Sequence, residues 1–592
     1  MKLNEQVKKK SLVFLLCATG FLFGFLFDWY QDASRKSPVH LYSYGDTAKR
    51  FYDQANESVT NTHRSGARTG IVAHHLLVAE KIAQTLAQMG TGWDRTVVVL
   101  SPNHFGQGRS NLQTTLGAWN TPYGNLEVDE RSVNKLIKRF PSLQIEPDTF
   151  EKEHGVAAIT PLIKKWFPHA KLVPVVIDDS TTSDQVGELA KQIQLTLPNA
   201  VVIASIDMSH NLPEHIQTFH DEVTLHAIEN GGCDCQLEID ANAVIQTLFA
   251  VNARRGTQDW HRLYHGSSLS VQATNRFQDN TSHILGYFKP GKPAHQPFFS
   301  MQFVGDVMLD RGVRAKMQQS GVDYPWREVS RFLSGTHLTI ANLEGPIGEQ
   351  ASIATQEPPF NFLFDPSSIK AMKEQVDVVS LANNHTDDFG SEAEESTQDI
   401  LNQLGVNWFG NAHSAKPVYR IDQDGFALSL VGYHEFGTSI EEVKRVVEEE
   451  SALHRFVIVF PHWGNEYIQA PQEHQRELAT QLIASGADLI IGSHPHVVQG
   501  IELIDGVPVI YSLGNFVFDQ GFDQTNVGMM AGVLLHNDRV TIQLSPVSTV
   551  NSQPIPLPDG QAQRFFQSLS ALSAPELRTD LLDGSLTSYY DE

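Results

Sequence analysis

Cysteine is nearly absent: three in 592 residues cannot make a disulfide framework, since Cys17 lies in an apolar N-terminal run and Cys233 and Cys235 are two apart, a spacing that strains a bridge. Positive charge is also in deficit. The chain has 44 Lys and Arg against 68 Asp and Glu, a net charge of -24 with His neutral. That balance excludes an electrostatic nucleic-acid binder, because phosphate contacts need clustered Lys and Arg. No internal repeat relates the two halves of the chain. What is present is an ordinary folded α/β composition, 41% hydrophobic and 19% charged with 42 Gly and 28 Pro, which excludes a disordered or fibrous protein. The length is more than a single core supports, and roughly 100 to 200 residues per domain implies two large domains plus tails. The 25 histidines are the most informative excess, since several follow strand-like runs directly.

At the N-terminus, Lys2, Lys8, Lys9 and Lys10 precede an uncharged stretch from Ser11 to Phe27, which Asp28 ends and Trp29 and Tyr30 follow. Basic residues, an apolar run near the short limit for a span, and an aromatic pair predict a transmembrane signal-anchor over 11–28. A cleaved signal peptide is the alternative, but no small-x-small cleavage site precedes Asp28. The positive-inside bias then makes 1–10 a cytoplasmic tail and sets both domains outside the cytoplasm, with the cell membrane as partner.

Residues 29–64 are polar and aperiodic, a spacer. From 65 to 288, β-branched runs (RTGIVAHH, RTVVVLSPNH, AKLVPVVID, AVVIASIDMSH) alternate with helical patterns at Val78 to Met89 and Ser183 to Leu195, predicting a largely parallel sheet. A proline-rich linker spans 289–298, and a second α/β series occupies 299–550. Residues 551–592 show little periodicity and read as a tail.

In the second series most strands end in a donor: Asp306, then Asn342 and Glu344, then Asn383, Asn384 and His385, then His462, then His494 and His496. The carboxyl ends of strands in an open α/β sheet share one crevice, so these residues converge. Carboxylate, amide and imidazole donors suit divalent Mn, Fe or Zn, and a pair of such ions can clamp a phosphoryl group. The strings GDVML, ANLEGP, LANNH, PHWGNEY, GSHPHVVQG and YSLGNFVFD carry a resemblance to the CapA family of capsule and poly-gamma-glutamate biosynthesis proteins, itself similar to calcineurin-like metallophosphoesterases. The resemblance implies a two-sheet sandwich with a dinuclear metal site. Its ligands would be Asp306, Glu344, Asn384, His462, His494 and His496, with Asn342 and Asn383 behind them and His385 as the acid that protonates a leaving oxygen. One place departs from the pattern. Metallophosphoesterases usually carry a His two residues after the first Asp, and here that place holds Met308. Asp310 either substitutes for it or caps a helix.

The first series places His74 and His75 after one strand, His104 after the next, Glu153 and His154 in a loop, and Asp207 and His210 after a fourth. Three imidazoles with a carboxylate meet the needs of a mononuclear Fe or Cu site. GIVAHH, LSPNHFG, WNTPYGNLEVD, EHGVAAITPL, SIDMSHN and the closing GYF resemble the Memo family (AmmeMemoRadiSam system protein B), similar in fold to class III extradiol dioxygenases. The resemblance implies His74, His104 and His210 as ligands, supported by Asp207, Glu153 and His154. The family often reads Pro-His-Ala-Gly where this chain has Ala73, His74, His75 and Leu76, and it can place a Cys near the position of Ala253.

Together these readings predict an anchored, extracytoplasmic, metal-dependent phosphoesterase-like protein acting in capsule, polyglutamate or other envelope-polymer synthesis or export. The alternatives are a metal-stabilised scaffold without turnover, which a closed site would indicate, and redox or dioxygenase-like chemistry in the first domain.

Overall fold

The computed structural model describes residues 41–43, 46–59, 65–90, 96–271, 280–348, 361–410 and 414–590. The chain divides into two compact units, one of Met1–Asn211, Ala227–Gly232 and Ile239–His295, the other of Leu212–His226, Cys233–Glu238 and Gln296–Glu592.

The first unit is built on an eight-stranded sheet. Its strands are β1 (Thr69–Val72), β2 (Thr96–Pro102), β3 (Leu112–Thr114), β4 (Leu143–Ile145), β5 (Lys171–Ile177), β6 (Val201–Ser205), β7 (Asp259–Ser267) and β8 (Ser282–Lys289), in the order β7-β8-β1-β6-β2-β5-β3-β4. The centre, β1-β6-β2-β5, is parallel, and β8, β7 and β3 join antiparallel. Val97, Val98, Val99 and Leu100 are all fully buried, as strands covered on both faces require. The helix Ser183–Thr196 begins where Thr182 and Gln185 form a capping box, and Gly256, at φ 65°, closes the helix Asn242–Arg255 in the left-handed region.

The second unit carries two sheets. The larger contains β9 (Phe299–Val307), β10 (Leu338–Leu343), β11 (Val378–Ser380), β12 (Asn407–Phe409), β19 (Asn515–Val517), β20 (Val527–Leu535), β21 (Arg539–Ser548), β22 (Ile555–Pro556) and β23 (Ser585–Tyr589). The smaller has β13 (Val418–Gln423), β14 (Phe426–His434), β15 (Phe456–His462), β16 (Leu489–Ile491), β17 (Ile501–Ile504) and β18 (Val507–Ile510). Phe303 and Ile340 of one sheet share an apolar core with Leu430, Ile458 and Ile510 of the other. The strands β9, β10 and β11 run parallel, as do β14, β15 and β16, so their carboxyl ends gather the donors. Gly305 permits this on β9: a Cβ there would lie 1.9 Å from the Gly514 carbonyl oxygen, which accepts from Asp306 N. Beyond residue 550, Asp559–Leu572 is a helix and β23 pairs with β21, burying Phe566, Leu569 and Leu586, an order the sequence pattern did not disclose.

Two expectations are corrected. Cys233 and Cys235 form a disulfide across a Cα separation of 5.3 Å, within the usual reach of a bridge despite their spacing. The expected localisation, a single-pass cell-membrane protein with both domains extracytoplasmic, is overturned: among the described residues no helix is long and apolar enough to cross a membrane. The helix Glu214–Asn230 has 17 residues and carries Glu214, Asp221, Glu222 and Glu229, charges that a bilayer core of about 30 Å does not accommodate. The run at 11–28 lies outside the described residues.

Candidate metal centres

Two donor sets adjoin at the strand ends of the second unit. In the first, Asp306, Glu344 and His496 bring one donor atom each within 4.8 Å of the others. His496 Nδ1 lies 3.3 Å from Asp306 Oδ2, and its Nε2 lies 3.7 Å from Glu344 Oε1. Both Glu344 oxygens are buried without a hydrogen-bond partner. A buried carboxylate left so is costly unless a cation supplies the missing interaction, so the donor set fits the divalent ion expected here. The second set is Asn384, His462 and His494: His462 Nε2 is 2.7 Å from Asn384 Oδ1 and 2.9 Å from His494 Nδ1. His494 and His496 hold φ of 94° and 58°, strained values for non-glycine residues at a ligand-bearing turn. His494 N reaches Asp306 Oδ2 at 3.4 Å, which links the two sets.

Behind them, Asn342 Nδ2 donates to Asp306 Oδ1 at 2.8 Å, and Asn383 Nδ2 donates to Asn342 Oδ1 at 3.1 Å and to the Leu343 carbonyl at 2.9 Å. His385 packs on the Phe362 ring at 4.3 Å, holds Asp388 Oδ2 at 3.0 Å through Nδ1, and leaves Nε2 3.8 Å from Glu344 Oε1. Asp310 caps the helix Arg311–Ser320, and its carboxylate also accepts from Leu363 N at 2.8 Å and forms an ion pair with Arg314, whose Nε lies 2.9 Å away. The capping alternative is therefore the one observed, and Met308 lies fully buried where a histidine would stand.

In the first unit, His74, His104 and His154 bring donor atoms together, and so do His74, Asp207 and Asp240. Glu153 accepts from His104 N at 3.0 Å and meets His104 Nδ1 at 2.6 Å, while Asp207 is 3.3 Å from His74 Nε2 and 3.3 Å from His283 Nδ1. His210 joins through Asp240, at 3.3 Å. Ala253 lies exposed on the helix Asn242–Arg255, so it marks no ligand position. His104 Nε2 is buried with no hydrogen-bond partner, an opening that a cation fits.

Residues 300–520 match the profile of the bacterial capsule synthesis protein PGA_cap, and residues 43–242 match that of the Memo-like protein. The chain joins a Memo-like domain to a PGA_cap domain. Over 294 residues it is 26% identical to the capsule biosynthesis protein CapA of Bacillus anthracis, covering 45% of this chain and 72% of that one. It is 27% identical over 279 residues to the PGA biosynthesis protein CapA of Bacillus subtilis, covering 44% and 73%. A MEMO1 family protein of Pyrobaculum aerophilum is 34% identical over 145 residues, 24% of this chain and 52% of that one, so the chain spans about half the length of that relative. Chaetomium thermophilum Vps29 aligns at a TM-score of 0.19 and 10% identity, over 37% of this chain and 89% of that one, too slight a likeness to bear on the fold.

The electrostatics of the PGA_cap domain follow from dryness. Burial, with Asp306 beside it and His496 opposing, pushes the Glu344 carboxyl up to about 8. His496 is lowered by burial but raised more by Glu344 and Asp306, to about 9. Burial and the neighbouring His496 take His494 down to about 3, and burial with His494 holds His462 well below the usual imidazole range. His385 is raised: burial lowers it, but Asp388 and Glu344 prevail. In the Memo-like domain burial opposes, yet Asp240, 3.6 Å from Nε2, and Glu153, at Nδ1, push His104 up to about 10. Burial and the charge of His74 take His154 down to about 3.

The structure adds residues that strand-end reasoning missed. Asp240 precedes the helix Asn242–Arg255 and reads in sequence as an ordinary loop acid, so no local signal marks it. His434 ends β14 opposite His462, at a ring separation of 6.1 Å, and its position after a β-branched run was a signal that could have found it.

Proposed function

We propose that the PGA_cap domain is a metal-dependent hydrolase of the phosphoesterase type that serves capsule or polyglutamate polymer biosynthesis, with the polymer or its synthesis and export proteins as partners. The observation that carries this reading is the buried Glu344 carboxyl group, without a hydrogen bond, beside Asp306 and His496 and next to the Asn384, His462 and His494 set. The process comes from the relatives, whose names place them in capsule and PGA biosynthesis. A pair of divalent ions (Mn, Fe or Zn), held by these two sets, supplies Lewis acidity toward a phosphoryl group when bound.

The chain's own residues have separate tasks. Asp388 engages His385 Nδ1 and so leaves Nε2 free to deliver a proton to a leaving oxygen, while the Phe362 ring fixes the imidazole plane. Asn342 and Asn383 brace Asp306 from behind. Arg311, paired with Asp519 and lying 4.8 Å from the Phe362 ring centre, sets a guanidinium one ring away from His385, suited to an anionic part of the substrate. Met308, buried in place of a second histidine, favours a second reading in which the ions hold a scaffold without turnover.

Metal analysis followed by hydrolysis of a generic phosphodiester with Mn, Fe or Zn decides between them. The parent is expected to turn over; His385→Ala should keep its metal and lose ~10²-fold or more in rate, whereas His494→Ala should lose metal. A fully metallated parent inactive with all three ions would leave the scaffold.

A further inference from the structure

Asp240 sits at the centre of the donors in the Memo-like domain. Its Oδ2 lies 3.2 Å from His74 Nε2 and 3.6 Å from His104 Nε2, and its Oδ1 lies 3.3 Å from His210 Nε2. The side chain is only 6% exposed, and Asp207 N donates to its Oδ2 at 2.8 Å, which fixes its orientation.

Hydrogen bonding between protein groups leaves one atom of this convergence unaccounted for. His104 Nδ1 stands 2.6 Å from Glu153 Oε1. A carboxylate only accepts, so Nδ1 donates to Glu153 and Nε2 is the ring atom left facing the cluster. That Nε2 is buried and has no hydrogen-bond partner, and 3.6 Å from it stands another carboxylate, Asp240. In the metal-free protein a proton on Nε2 offsets the Asp240 charge, and a bound cation between the two atoms takes that proton's place. The spacing is right for one: two donors each about 2.1 Å from a shared ion are themselves roughly 3 to 3.5 Å apart. Glu153 behind His104 completes the carboxylate–imidazole arrangement that orients a metal-bound histidine.

We propose that Asp240 is a direct metal ligand, closing with His74, His104 and His210 a three-imidazole, one-carboxylate site for a divalent cation of the Fe(II), Mn(II) or Zn(II) class. An all-nitrogen-and-oxygen set without a thiolate does not favour Cu(I). The proposal concerns the Memo-like domain alone and stands or falls independently of hydrolysis in the PGA_cap domain.

Cobalt(II) tests it, because thiolate ligation to Co(II) gives an intense near-ultraviolet charge-transfer band. The chain's cysteines are Cys17, Cys233 and Cys235, the last two joined in a disulfide, and none is a candidate ligand of either domain, so the background is dark. The metal-free full-length protein, Asp240→Cys, Asp240→Ala and Asp240→Asn are titrated anaerobically with Co(II) and with Cu(I). The parent should bind Co(II) without the band. Asp240→Cys should gain the band and bind Cu(I) more tightly than the parent. Asp240→Ala and Asp240→Asn should lose affinity for one equivalent of Co(II) by more than the roughly 10- to 100-fold of an outer residue. Co(II) bound to Asp240→Cys at parental stoichiometry without the band would overturn the assignment. So would parental affinity in both the Ala and Asn variants.

Discussion

At the scale of single residues, Glu344 is the group whose environment demands something from outside the chain. A carboxyl group with both oxygens buried and no hydrogen bond is a liability in the metal-free protein and an asset in the loaded one. Glu344→Gln keeps the shape and removes the charge. The metal-free variant should melt no lower than the metal-free parent, but it should lose most of the stabilisation that Mn brings, which is about 2.7 kcal/mol when the ion stands at 100 times its Kd. Thermal scans with and without Mn read both quantities, and a full metal-induced rise in the variant would remove Glu344 from the ligand set. The donors Asp306, Glu344, Asn384, His462, His494 and His496 and the neighbouring His385 were legible in sequence because each lies at or shortly after the end of a strand. Asp240 and the disposition of Met308 were not, because their meaning depends on what faces them across the fold.

At the scale of the element, the helix Arg311–Ser320 shows how an acid that looks like a ligand is committed elsewhere. Asp310 holds the helix start, the Leu363 amide and the Arg314 guanidinium at once. Asp310→Ala should therefore destabilise the protein by about 1–2 kcal/mol, the value of a cap with an attached hydrogen bond, and leave metal content unchanged. Denaturant midpoints and metal analysis on one sample separate the two roles, since a drop in metal with little change in midpoint would restore Asp310 as a ligand. The helices predicted at Val78 to Met89 and Ser183 to Leu195 are present as Ala79–Met89 and Ser183–Thr196, because apolar spacing and a capping box are local. The helix Asp559–Leu572 went undetected. Its buried residues include only Ala562, Phe566, Leu569 and Ser570, too sparse a stripe to register as a period before its packing partners are known.

At the scale of the molecule, the second unit keeps further imidazoles neutral besides those of the donor sets, His220, His226 and His536 among them. Burial takes His220, His226 and His536 each down to about 4, with Arg539 adding repulsion at His226 and His536 and Asp538 opposing it at His536. Above pH about 6.5 these groups are neutral in both folded and unfolded chains and favour neither. Below that the unfolded chain takes up protons that the fold refuses until pH near 4, so stability falls across this window and levels off beneath it. For the fully buried His220 the loss is about 3 kcal/mol, from about 2.5 pKa units at 1.36 kcal/mol each. His220 Nδ1 contacts the Gly335 carbonyl at 3.3 Å, a place where an amide NH2 can donate, so His220→Asn should flatten the decline between pH 6.5 and 4. Urea midpoints at pH 7, 5.5 and 4.5 measure it, and parallel slopes for parent and variant would clear His220 of the effect.

Strand runs, their terminal donors and the two domain resemblances were determined by the sequence alone, because alternation, β-branching and motif order are properties of neighbours along the chain. The tertiary structure decided what depends on neighbours in space. It drew Leu212–His226 and Cys233–Glu238 into the second unit, closed a bridge between Cys233 and Cys235, and set Asp240 among three histidines from three other segments. It also left Glu344 without a hydrogen-bond partner. Burial and convergence arise only when distant segments exclude water from a common volume, and no local pattern records which segments those will be.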